Sequence, residues 1–163
     1  MSSRREARER TMQALYAFEL GSGDAQHVLE NVIKKHFEKD PESLDFATNL
    51  FLRTLDFTEE ADEIVVKYAQ NWEISRIALV DRILLRLAMC EMLTFEDIPP
   101  KVTINEAIEV AKRFSTEKSG QFINGILDSV LTDFRGSGRM KKSGRGLVET
   151  DTVVEKEEEN ESN

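Results

Sequence analysis

The chain is poor in the residues that mark several common architectures. It holds one cysteine, Cys90, in 163 residues. That excludes an intramolecular disulfide framework and a cysteine-rich zinc site. Three prolines and eight glycines are too few for a collagen-like or loop-dominated fold. No apolar run approaches the roughly 20 residues of a membrane span. No apolar stretch follows Met1-Ser2-Ser3-Arg4-Arg5, as a secretory signal requires, so a cytoplasmic protein with no membrane contact is expected. The two histidines, His27 and His36, are nine residues apart on one expected helix and point half a turn away from each other. They do not suit a shared metal ion. There is no glycine-rich phosphate loop, no HExxH and no carboxylate pair interrupting an apolar stripe. No catalytic residue, metal or cofactor is expected from this pattern.

What is present is a core and a divided charge. Hydrophobic residues make up 40% and charged residues 33%, with a net charge of -9. Residues 149–163 carry -6, residues 136–148 carry +4 and residues 1–135 carry -7. An acidic chain with a basic N-terminus can still hold nucleic acid, because local patches decide. Residues 1–135 read as one helical domain. Residues 136–163 read as a flexible basic linker followed by an acidic disordered tail.

The fold class is all-α, since every periodic segment has helical spacing. Ala7, Thr11, Ala14, Leu15 and Phe18 stripe residues 4–20, and Val28 to Phe37 stripe 25–37. Two further helices are expected over 43–56 and 59–69, and two small halves meeting near Trp72 are plausible. Residues 75–94 form the most apolar segment and read as a central helix, interrupted by Asp81, Arg82 and Arg86. A salt bridge to a neighbouring arginine is the expected role of Asp81. Pro99-Pro100 stops that region. Thr103 with Glu106 reads as a capping box for a helix over 104–114, and Ser115 or Thr116 caps a last helix over 117–134. Cys90 sits mid-helix among apolar residues, as a buried inert thiol does.

The first helix breaks a local rule. Arg4, Arg5, Arg8 and Arg10 crowd its first turns, where the helix dipole disfavours cations by about 0.3–1 kcal/mol each. Glu6 can pair with Arg10 and Glu9 with Arg5 at four-residue spacing, leaving Arg4 and Arg8 without a local partner. Arg5, Arg8, Met12 and Tyr16 lie on one flank. Guanidinium groups beside an aromatic suit RNA phosphates and a stacked base; a solvated charged face fits the same pattern. Lys112, Arg113 and Lys118 form a second basic cluster, one turn before Phe122, which also reads as a core residue.

Four segments in order carry a resemblance. They are Arg4-Arg5-Glu6-Ala7-Arg8-Glu9 with Gln13-Ala14-Leu15-Tyr16, Asp81-Arg82-Ile83-Leu84-Leu85-Arg86-Leu87-Ala88, Ile98-Pro99-Pro100-Lys101-Val102-Thr103-Ile104-Asn105-Glu106-Ala107-Ile108, and Phe122-Ile123-Asn124-Gly125-Ile126-Leu127-Asp128. Together they resemble the bacterial transcription antitermination factors of the NusB family, over about residues 4–134. The resemblance implies a compact bundle of about seven helices in two small helical subdomains, and no enzyme activity. It implies a non-catalytic adaptor that binds the boxA RNA of ribosomal RNA operon leaders together with NusE, a ribosomal small-subunit protein. Its setting would be the RNA polymerase elongation complex with other Nus factors. It leaves room for a homodimer of the free chain. By motif position, Arg4, Arg5, Arg8, Lys118 and Phe122 would meet RNA, and Tyr16 and Asp81 would meet NusE. Glu6 interrupts the arginine run, and the extension from Gly136 lies outside the family pattern; its basic part could add phosphate contacts and its acidic end could mask them. The same module is similar to the N-terminal domain of certain ribosomal RNA cytosine methyltransferases, whose catalytic domain has no counterpart here. A helical protein-interaction module with weak or no specific RNA binding is the alternative.

Overall fold

The computed structural model describes residues 3–21, 23–69 and 73–147. Among them every regular element is helical: α1 (Arg4–Glu19), α2 (Ala25–Val28) running into a widened π turn (Leu29–Lys34), α3 (Pro41–Tyr68), a 3-10 turn (Ile74–Arg76), α4 (Leu79–Thr94), α5 (Pro100–Phe114) and α6 (Glu117–Ser137). The all-α reading holds. Trp72 and the acidic run 149–163 lie outside the described residues.

Helix α4 is the central post. Ile83, Leu85, Ala88, Met89 and Met92 are fully buried, and α4 packs against α1, α3, α5 and α6. Each such isoleucine, leucine or methionine contributes about 1.5–3 kcal/mol on burial, so apolar residues on nearly every face require neighbours on nearly every side. Its start falls later than the apolar period suggests. Ile77 is buried, but from extended backbone after the 3-10 turn.

The two helices expected over 43–56 and 59–69 are one. No proline or glycine interrupts residues 42–68, so α3 runs unbroken for 28 residues, about 42 Å at 1.5 Å per residue. Asp40 caps it, its carboxylate accepting from Ser43 N at 3.2 Å, with Pro41 in the first turn. The helix expected over 25–37 is instead widened in its middle, Lys35 N donating to Glu30 O at 3.2 Å in place of a regular helical partner.

The capping box at Thr103 does not form. Helix α5 begins at Pro100, with Pro99 extended ahead of it. Proline lacks only an N–H that the first turn leaves unpaired, and it holds its predecessor extended. Thr103 therefore lies inside the helix, and its hydroxyl is free to donate to Glu91 Oε1 at 2.9 Å. Thr116 caps α6 as expected, accepting from Ser119 N at 3.1 Å. At its far end Tyr68 Oη donates to Asp133 Oδ2 at 2.7 Å. That bond holds Asp133 below the usual carboxylate range and Tyr68 above its own.

The segment read as a flexible linker differs from that reading. Helix α6 absorbs Gly136 and Ser137 and ends on Gly138 in the left-handed conformation, φ 72°. Beyond it, Met140 packs against the core, Lys142 Nζ donates to Phe95 O at 2.8 Å, and Ser143 N donates to Glu96 O at 3.0 Å. Phe95 and Glu96 lie in the α4–α5 turn, whose carbonyls no helix ladder uses, so the strap satisfies them.

Candidate nucleic-acid interface

Helix α1 opens on Ser3, whose hydroxyl accepts from Glu6 N at 3.1 Å. From that start its four arginines take four different environments. Arg4 is exposed, with its guanidinium 4.6 Å from the centre of the Phe46 ring. Arg5 donates through Nε and Nη2 to the Glu106 carboxylate at 2.8 and 3.1 Å, yet half of its side chain faces solvent. The hydrogen bond and charge of Glu106 raise its pKa further, so it stays cationic. Arg10 turns inward, Nε donating to Val32 O at the widened turn at 3.0 Å.

Arg8 is the exception to the expected pattern. It is 5% exposed, and its guanidinium forks onto Glu91, Nε to Oε2 at 3.0 Å. Glu91 is fully buried and also accepts from Thr103. One carboxylate thus ties α1, α4 and α5 together. Arg8 presents little surface to a ligand; it fixes the helix that carries Arg4 and Arg5.

The four-residue pairs expected on α1 do not form either. Glu6 Oε1 meets His36 Nε2 at 2.8 Å, and Glu9 accepts from Arg113 Nη1 at 2.8 Å. Flanking elements bring these partners to α1, because α1 packs against α3, the π turn and α5. The second basic cluster is partly neutralised too, Arg113 by Glu9 and Lys112 by Glu109 on its own helix at 3.4 Å.

Arg4, Arg5 and Arg8 line one groove of about 870 Å³, walled by Pro99 and Val102 from the start of α5. Arg5, Arg10 and Arg113 line a second of about 380 Å³. Lys118 and Phe122 are not in either. They line a third, of about 320 Å³, together with Asp81 and Ser119. Lys118 is exposed, and Phe122 is half-buried against the core. Asp81 is buried and accepts from Ser119 Oγ at 2.8 Å through Oδ2, not from a neighbouring arginine. Its Oδ1 is buried with no hydrogen-bond partner among the described residues. Arg86, one of the arginines expected to pair with it, forks onto Asp62 at 2.7 and 2.9 Å and reaches Glu19 at 3.5 Å. Tyr16, one turn before Glu19, is 37% exposed on the side of α1 that leads to α4.

Glu91 and Glu106 are the functional residues that reading the sequence missed. The signal for Glu91 was present, an acid amid Met89-Cys90-Glu91-Met92 in the most apolar helix. A charge there requires a buried partner of opposite sign. Cys90 itself is buried, and burial pushes its thiol up, away from the reactive thiolate. Among the described residues no three His, Cys, Asp or Glu side chains gather as a metal site would, and no helix is long and apolar enough to cross a membrane.

Comparison with known proteins bears on this arrangement. The NusB family model matches residues 5–132. The chain belongs to the NusB family. It is 53% identical to the transcription antitermination protein NusB of Salinibacter ruber, over 96% of this chain and 98% of that protein. It is 43% identical to the NusB of Chloroherpeton thalassium, over 90% of this chain and 70% of that one. Among solved structures it is similar to Thermotoga maritima NusB, with a TM-score of 0.73 and 36% identity over 80% of this chain and 92% of that one. It is also similar to a chain in the crystal structure of antitermination factors NusB and NusE in complex with double-stranded RNA, with a TM-score of 0.72 and 25% identity over 80% of this chain and 96% of that one. The NusB family resemblance and the helical bundle read from the sequence are both borne out.

Proposed function

We propose that this protein is a transcription antitermination factor that binds boxA RNA of ribosomal RNA operon leaders together with NusE, as a non-catalytic adaptor on elongating RNA polymerase. The observation that carries the reading is the likeness to the chain solved in complex with NusE and RNA, on a body whose first helix holds exposed Arg4 and Arg5 over an open groove. RNA phosphates meet Arg4 and Arg5, and Lys118 and Phe122 extend that surface, Phe122 offering a ring for a base. Arg8 is a positioning residue that holds α1 through Glu91. Tyr16 faces NusE directly, and Asp81, buried in the wall of the third groove, supports that side through Ser119. No bond is made or broken, no cofactor takes part, and the setting is the cytoplasm.

The second reading, a protein-interaction module, is favoured by one observation. Arg5, Arg8 and Arg113 are already paired with acids. The two readings differ in salt response. About four phosphate contacts on single-stranded RNA give a log–log slope near -3. Binding of a boxA RNA and a scrambled RNA at two salt concentrations, with and without purified NusE, separates them. Selective binding with that slope, tightened by NusE, supports the adaptor. NusE binding with no RNA affinity at either salt supports the interaction module instead.

A further inference from the structure

The groove that holds Arg4 and Arg5 has a fourth arginine that does not come from the helical bundle. Arg145, beyond the residues that the family model matches, lines the same groove from the C-terminal side. It is exposed and has no ion pair or hydrogen bond among the described residues. Of the four arginines there, Arg5 and Arg8 are matched by Glu106 and Glu91, whereas Arg4 and Arg145 form no ion pair among the described residues, although Glu42 and Asp97 also line the groove.

The strap that carries Arg145 is fastened on both sides. Arg139 pairs with Glu60 on α3, and Met140 is packed on the core. Lys142 and Ser143 hold the two carbonyls of the α4–α5 turn. Gly146 then passes so close to that turn that a Cβ would collide with Glu96 O. Eight residues after α6 ends at Ser137, the chain has therefore been brought back to the groove that Arg145 lines. The four cations of residues 136–148 are sorted by this path: Arg139 and Lys142 are used as anchors, Lys141 is exposed and does not line the groove, and Arg145 is the one of the four that lines it.

We propose that Arg145 is an additional phosphate-binding residue of the RNA groove, delivered by a C-terminal strap that lengthens the site beyond the helical bundle. The inference rests on the RNA-binding reading above. A guanidinium without a carboxylate partner, across an open groove from a second one, matches the repeated charge of a nucleic-acid backbone. Phosphate contacts carry no base information, so Arg145 adds affinity and not selectivity.

The test uses the full chain and a short boxA RNA beside a scrambled one, titrated at several salt concentrations. Arg145→Ala is expected to weaken both RNAs by the same factor, about three- to tenfold at low salt, and to make the log–log slope shallower by about 0.7. Gly146→Val, which lifts the strap from Glu96, should reproduce that loss. Lys141→Ala removes the same charge from the same strap outside the groove and should keep the wild-type slope. Arg145→Ala with wild-type or tighter binding would overturn the inference. Equal losses in Arg145→Ala and Lys141→Ala would also overturn it, leaving only diffuse charge. Loss of binding in Arg4→Ala alongside an unaffected Arg145→Ala would sink this inference alone, whereas a wild-type chain that binds neither RNA sinks the RNA reading with it.

Discussion

Replacing Glu91 by alanine is expected to destabilise the protein by about 3–5 kcal/mol, because it strands a charged guanidinium where water cannot reach it. Glu91 is fully buried and Arg8 nearly so. The same change removes the acceptor of the Thr103 hydroxyl. For a domain of this size the midpoint of thermal unfolding should fall by roughly 6–20 °C. Arg8→Ala should cost a comparable amount from the other side, leaving a carboxylate buried alone. The double replacement Arg8→Met with Glu91→Met removes both charges together and should recover most of the loss, since apolar residues of similar volume can replace a buried pair at little cost. Thermal denaturation of the four proteins measures these differences. The double variant also tests the role given to Arg8. If Arg8 only positions α1, the double variant binds RNA within about twofold of wild type. Loss of RNA binding in a protein that folds normally would return Arg8 to the contact surface.

The second large effect is on binding and not on stability. Arg4 lies over the ring of Phe46, and Arg5 is half exposed on Glu106. Such surface contacts contribute about 0–1 kcal/mol each, so Arg4→Ala with Arg5→Ala should leave the fold intact. RNA affinity should fall at least about tenfold at low salt, with the log–log slope shallower by about 1.4 for two lost phosphate contacts. The acid beside Arg5 adds a further expectation. Glu106 competes with phosphate for the same guanidinium, so Glu106→Gln should tighten RNA binding. Unchanged affinity in the double arginine variant would remove α1 from the RNA surface.

Much of the fold was legible because helix periodicity is a local property. The stripe of α1, the apolar surround of α4 and the cap at Thr116 all appear in consecutive residues, and all are present. The misread side-chain pairs share one cause. Glu6 with Arg10, Glu9 with Arg5 and Asp81 with an arginine were inferred from spacing within a helix, whereas the actual partners are His36, Arg113 and Ser119. Spacing along one helix cannot rank partners that arrive from another. Thr103 followed by Glu106 has the pattern of a capping box, but Pro99-Pro100 had already started the helix three residues earlier. Arg8 looked unpartnered because its partner lies 83 residues away. The basic residues after Gly136 read as solvated because their composition is that of a linker; the carbonyls of the α4–α5 turn that hold them are visible only once the bundle is built.

The adaptor account requires RNA and NusE to bind this chain together and to reinforce each other, which one set of titrations measures. The affinity for boxA RNA is determined with and without saturating NusE, and the affinity for NusE with and without saturating RNA. Linkage demands the same factor in both directions, and the account predicts a factor of about five or more, reduced by Arg4→Ala with Arg5→Ala. A factor of one, or each ligand expelling the other, would contradict it.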